Sequence, residues 1–330
     1  MLQRFILLLF SVIVTCETFA QHPYYYNITD EDGLPSNEVY SIVQDNFGYI
    51  WIGCDAGLFR YDGFTFKPYT SSKQNGRSIS YLQLDKKGRV WCKNFSGQVC
   101  RVAGDSLFIV TDFSGKSTSV PQFTLDDDCN AYINNSNTIE VFNEHGDSLK
   151  TYSFPEREIK IQDITELIYY NDKLFFCRRS MGFFTLDIKS EEVKQLDCDT
   201  LCRELYNRNL FVKVNDDLFL MAEIPGNPNT HFVRITESKT EFIQSFSIEK
   251  EGSRIYMVYN DRKNEKWLCS SNGVSSFIDY AKHQFLLSGQ KVSNMLHDRE
   301  GNYWFTTLEH GLFVIPFVEV QRMNSSNSGL

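Results

Sequence analysis

The stretch Val39-Tyr-Ser-Ile-Val-Gln-Asp45-Asn-Phe-Gly48-Tyr-Ile-Trp51-Ile-Gly53, followed by Gly57-Leu58-Phe59-Arg-Tyr61-Asp62-Gly63, decides the fold. The segment before Asp45 is an apolar strand. Asp-x-x-Gly is a tight hairpin turn, because Asp bonds nearby backbone amides and Gly takes a positive φ. A Trp strand follows, and a glycine-led third strand returns. Tyr61-Asp62-Gly63 then turns the chain into an outer fourth strand, Phe64 to Tyr69.

The same frame recurs along the chain. It returns as Gln83-Leu-Asp85-Lys-Lys-Gly88-Arg-Val-Trp91 and late as Leu296-His-Asp298-Arg-Glu-Gly301-Asn-Tyr-Trp304. Degenerate copies lie between them: Asp126 to Tyr132, Asn171 to Phe175, Asn215 to Phe219 and Asp261 to Trp267. The aromatic anchors fall at 51, 91, 132, 175, 219, 267 and 304, with steps of 40, 41, 43, 44, 48 and 37 residues. A unit of about forty residues is one four-stranded propeller blade. The expected fold is therefore all-β: a seven-bladed β-propeller of four-stranded antiparallel blades, spanning 21–318. The last unit lacks its own outer strand. Tyr24-Tyr25-Tyr26-Asn27-Ile28 is one candidate to supply it and so remove two open edges; Phe317 to Val320 competes for the place.

The composition agrees with such a ring. Of 330 residues, 15% are aromatic, as wedges between blades require. The net charge of −9 argues against a nucleic-acid surface and against docking on an anionic membrane. Residues 1–20 read as a secretory signal peptide: Arg4 precedes an apolar run, Phe5 to Val14, too short for a bilayer, and Thr18-Phe19-Ala20 offers a cleavage site. An uncleaved anchor is the alternative. The mature chain is expected to be periplasmic, with no membrane span.

Nine cysteines are present. Their spacing is too irregular for a disulfide framework, and most sit in strand-like runs as small apolar residues. Cys92 and Cys100 could face each other across a hairpin, and Cys198 and Cys202 share a short loop; either pair could bridge. No catalytic or metal constellation stands out, and no cofactor is expected. Asp126-Asp127-Asp128 lacks the alternate spacing of a calcium loop.

Binding groups are better argued from propeller geometry. Loops joining second and third strands lie on one face, and the Asp-x-x-Gly turns on the other. The candidate loop-face residues are Asp55, Asn94, Asn134, Asn135, Arg178, Arg179, His231, Glu309 and His310. Directed hydrogen bonds around a channel mouth suit sugar recognition. The blade-five loop, Glu223 to His231, is the longest and most irregular of these.

The motif Gly33-Leu34-Pro35-Ser36-Asn37-Glu38-Val39, with Asp45-x-x-Gly48-x-Ile50-Trp51-Ile52-Gly53 and Tyr61-Asp62-Gly63, resembles the two-component regulator propeller repeat. The resemblance implies the N-terminal periplasmic sensor propeller of a hybrid two-component system protein. It further implies oligosaccharide sensing and control of polysaccharide-use genes, with a second propeller and other domains of the parent sensor as partners. This sequence shows no kinase, receiver or DNA-binding motif, so it reads as a truncated copy or fragment. Residues 319–330 resemble the start of a second propeller, or form a polar tail. A protein-interaction scaffold is the alternative function, and a propeller lyase or glycosidase stands third.

Overall fold

A computed structural model describes residues 24–115, 120–135, 138–154, 164–178, 182–197, 209–214, 217–223, 229–236, 238–247, 254–278 and 281–317. The proposed leader and tail, Arg179, and the Cys198/Cys202 pair lie outside the described residues.

Seven four-stranded antiparallel sheets form the ring. Blade one comprises Val39–Gln44, Ile50–Cys54, Gly57–Tyr61 and Phe66–Tyr69 from the channel outward. Blades two to six repeat this order, with inner strands Ile79–Leu84, Phe123–Leu125, Ile164–Tyr170, Asn209–Val214 and Ile255–Asn260. Blade seven has three consecutive strands, Val292–His297, Tyr303–Thr307 and Leu312–Ile315. Its fourth strand is Tyr26–Ile28, from the other end of the chain. Tyr26 pairs with Val314, Asn27 with Phe313 and Ile28 with Leu312.

The turn between first and second strands has one construction in five blades. In blade one, Asp45 N donates to Tyr49 O and Gly48 N donates to Asp45 O. Asp85, Asp126, Asp261 and Asp298 repeat both bonds. The fourth turn position is left-handed throughout, with φ of 97° at Gly48, 66° at Cys129 and 63° at Asn264. Blade four departs from the pattern. Its strands are joined by Asn171-Asp172 alone, both left-handed, as a two-residue hairpin with twist-matched geometry requires.

The anchor rings fill the gaps between blades. Trp51 packs against Ile79, Leu82 and Val90 of blade two. Trp91 packs against Phe123, Leu125 and Ile133 of blade three, and Trp304 against Ile50 and Ile52 of blade one. Tyr132 and Phe175 hold the same place before blades four and five. Close approach of the blades also restricts Gly53, where an added Cβ would sit 2.8 Å from Ile79 O.

The seam is fastened at three levels. Besides the Tyr26–Ile28 ladder, Ser293 Oγ donates to Val39 O beside the channel at 2.5 Å. On the turn face, Arg299 donates to the carbonyls of Asp45 and Asn46, and Gln44 Nε2 donates to Glu300 at 2.7 Å. Five of the seven inner strands share another feature: their register shifts between Val39/Ser41, Ile79/Tyr81, Ile164/Glu166, Ile255/Met257 and Val292/Asn294. Such bulges increase local twist and bend a strand.

Candidate functional site

Most of the polar residues expected to ring the loop face serve the blades instead. Asn94 is the last residue of the strand Val90–Asn94 and is fully buried. Its Oδ1 accepts from Gln98 N at 2.9 Å, and its Nδ2 donates to Gln98 Oε1 at 2.8 Å. Asn134 is buried in Ala131–Asn135 and accepts from Gln122 N. Asn135 donates to Glu140 Oε1 at 2.9 Å. Arg178 ends the strand Lys173–Arg178, buried beside the rings of Phe154 and Phe184. His231 lies in the third strand Asn229–Ile235, where its Nδ1 meets Ser245 Oγ at 2.7 Å. Burial pushes its imidazole below the usual pKa. The sequence pattern places these groups in loops; the strands run further than that pattern and take them into the sheets.

Asp55, Glu309 and His310 do lie in connections between strands. Asp55 Oδ1 accepts from Ser78 Oγ at 2.6 Å, linking blades one and two. Glu309 pairs with Lys291 at the surface, and His310 is exposed. The loop face also carries an aromatic pair absent from the polar set: Tyr40 and Phe95 meet edge to face at 5.2 Å. Phe95 is 52% exposed. Burial and a hydrogen bond to Glu38 raise the Tyr40 phenol.

The opposite face carries an opening. A cleft of about 590 Å³ occupies the turn-face ends of the inner strands of blades two, three and four. Three separate hairpins build it: Gln83 to Lys86, Leu125 to Asp127, and Tyr169 to Asp172. Its carboxylates are held in place. Asp85 Oδ2 accepts from Arg89 Nε at 2.7 Å and from Trp91 Nε1 at 2.9 Å. Asp126 holds its own turn amides and Asn130. Asp127 pairs with Lys86 at 3.1 Å. Asp172 accepts from Tyr169 OH at 3.0 Å and from Lys189, whose ammonium holds its carboxyl below the usual range. Burial and that bond push Tyr169 up to about 12. Gln83 Oε1 is shielded from solvent and has no hydrogen-bond partner among the described residues. The cleft thus offers two tyrosines, two amides and fixed acceptors.

A buried titratable group lies in the second strand of blade two, toward the loop face. Lys93 Nζ is buried, donates to Pro121 O at 3.0 Å and Gln122 Oε1 at 2.5 Å, and lies 5.7 Å from the Tyr81 ring centre. Burial lowers its pKa to about 8. Burial raises the Glu166 carboxyl to about 8, against the pull of Lys93. Among the described residues, no cluster of three His, Cys, Asp or Glu side chains could hold a metal ion.

The family model described as two component regulator propeller matches residues 33–56. This chain carries a two component regulator propeller repeat. The matched segment is the entry to blade one, its inner strand, turn and Trp strand. A 54-residue stretch is 41% identical to histidine kinase P4 of Formosa agariphila, covering 16% of this chain and 4% of that protein. The extracellular domain of a hybrid two component system from B. thetaiotaomicron shares the fold at TM-score 0.67 and 15% identity, over 92% of this chain and 44% of that one. This propeller-repeat chain therefore spans less than half the length of that extracellular domain. Virginiamycin B lyase from Staphylococcus aureus is similar at TM-score 0.68 and 15% identity, over 89% of this chain and 99% of the enzyme. At such identities the likeness to either structure is one of fold.

Proposed function

We propose that this chain is the exported, ligand-sensing propeller of a two-component signalling protein, and that an oligosaccharide binds the turn-face cleft. The repeat at 33–56, in a ring also built by the extracellular domain of a hybrid two component system, carries the sensor reading. Sugar recognition needs apolar ring faces beside directed hydrogen-bond groups, and Tyr169, Tyr170, Gln83 and Asn171 supply both. A sensor must bind its ligand differently in two states, so the cleft would act by favouring one arrangement of neighbouring domains.

Calorimetry of the full chain against a panel of neutral and acidic oligosaccharides tests this. Binding should weaken roughly tenfold in Tyr170→Ala, consistent with the loss of ~1–2 kcal/mol of aromatic contact. Phe95→Ala on the loop face should leave it unchanged. The reverse result moves the site to the Tyr40–Phe95 side, and silence across the panel removes the direct-ligand reading.

A scaffold role is the second reading. Phe47 and Phe64, at turns of blade one, are 88% and 91% exposed. Large exposed aromatics suit a protein partner. Crosslinked partners that disappear with the Phe47→Ser, Phe64→Ser double variant would favour it over a sugar sensor.

A further inference from the structure

Blade two contains two cysteines whose arrangement the sensor reading does not use. Cys92 lies in the strand Val90–Asn94 and Cys100 in Gln98–Ala103. They are direct cross-strand partners, flanked by the pairs Trp91–Arg101 and Lys93–Val99. Directly opposed residues of an antiparallel pair have Cα atoms about 4.5 to 5.5 Å apart, inside the range a disulfide spans. As direct cross-strand partners, their side chains point to the same face of the sheet. Both are fully buried. The neighbouring Cys100 thiol and burial hold the Cys92 thiol well above its usual pKa. The four other cysteines among the described residues, Cys54, Cys129, Cys177 and Cys269, have no cysteine opposite them.

We propose that Cys92 and Cys100 form a cross-strand disulfide when the chain folds in the presence of a disulfide oxidant. The thiolate of one cysteine attacks the oxidant's disulfide and releases one oxidant thiol. The second cysteine then displaces the other thiol and closes the Cys92–Cys100 bond. Two protein thiols are oxidised and one disulfide of the oxidant is reduced to two thiols. Oxidation precedes burial, because the folded blade admits no reagent to either sulfur. The native chain then exists in two stable forms, set by the redox state in which it folded.

The experiment does not depend on export. The full chain is unfolded and reduced, then refolded in buffer containing glutathione disulfide. Alkylation under denaturing conditions and peptide mapping without reductant follow. The expected product is a fragment pair linked through Cys92 and Cys100, with those two sites unalkylated and Cys177 and Cys269 alkylated. Cys92→Ser should leave Cys100 alkylated or mixed with glutathione, with an unchanged circular dichroism spectrum. Recovery of both Cys92 and Cys100 as alkylated thiols from folded protein overturns the proposal. If the chain does not refold, the same mapping on chain synthesised in an oxidising cytoplasm decides it by the same two outcomes.

Discussion

The indole Nε1 of Trp51 donates a 2.7 Å hydrogen bond to Oδ2 of Asp45, the residue that opens its own hairpin turn. The other oxygen, Oδ1, accepts from the amides of Phe47 and Tyr49. One buried carboxylate therefore fixes both the turn and the wedge. The same pair joins Asp85 to Trp91, Asp261 to Trp267 and Asp298 to Trp304, at 2.9, 3.2 and 2.7 Å.

Replacing Asp45 with Ala orphans three donors at once. We expect a loss of roughly 3 kcal/mol, since each buried unsatisfied group costs about 1–3 and two of these lie in a turn that water can reach. Asp45→Asn keeps the turn acceptor and should cost less. Urea denaturation of both variants checks the order, and equal losses would show that the carboxylate does not link turn and ring.

Closure should depend on the N-terminal strand more than on the surface latch. Deleting residues 24–28 exposes the edge of Leu312–Ile315 and removes Ile28 and its contacts with the blade-seven core. We expect a large fall in melting temperature and concentration-dependent aggregation by light scattering. Arg299→Ala, at an exposed position, should cost only about 1 kcal/mol.

Glu166 should make stability fall as pH rises. Its folded pKa, about 8, lies above the ordinary carboxyl value. The protonated form is therefore favoured in the ring, fully so below the unfolded pKa, and that contribution is lost as pH climbs toward 8. Lys93 acts oppositely, since its depressed pKa gives up stability as pH falls from the ordinary lysine value toward about 8. Glu166→Gln should therefore melt higher than the parent at pH 8 and alike at pH 4. Parallel melting curves across that range would refute the assignment.

At the joint of blades six and seven, His297 stacks on Tyr303 at 4.2 Å, with Nδ1 3.7 Å from Asp261 Oδ2. Burial lowers its pKa, and the Asp261 and Asp298 charges only partly oppose this against Lys263 and Arg262. A depressed folded pKa means stability present above the unfolded value, about 6.5, and lost as pH falls below it. His297→Phe should flatten the melting-temperature profile between pH 6.5 and 5, read by calorimetry.

The ring was legible wherever Asp, Gly and Trp stood together, because those three residues each do one physical job. Blade four could still be placed by Phe175, although its turn shrinks to Asn171-Asp172. The sites were less legible. Asn94 looks like a surface amide in sequence, yet it serves the amide of Gln98 four residues on. The cleft has no local signature in sequence. Gln83, Asp127 and Tyr170 lie on three hairpins more than forty residues apart, and no local pattern joins them. The Asp–indole bond had a visible signal, the fixed spacing of six. The turn alone accounts for the Asp in sequence, so the spacing does not by itself point to the indole.

The pairing of Tyr26–Ile28 with Leu312–Ile315 sets the timing of folding as well as its end state. These strands are separated by nearly the whole ring, so the contact carries the greatest loop-closure delay in the molecule. Blades one to six can form in turn as the chain becomes free to fold from its N-terminal end. The first strand must wait, unpaired, until the last blade emerges. During that interval its tyrosines and the open flank of blade one are the places where a chaperone, or a second nascent chain, would take hold.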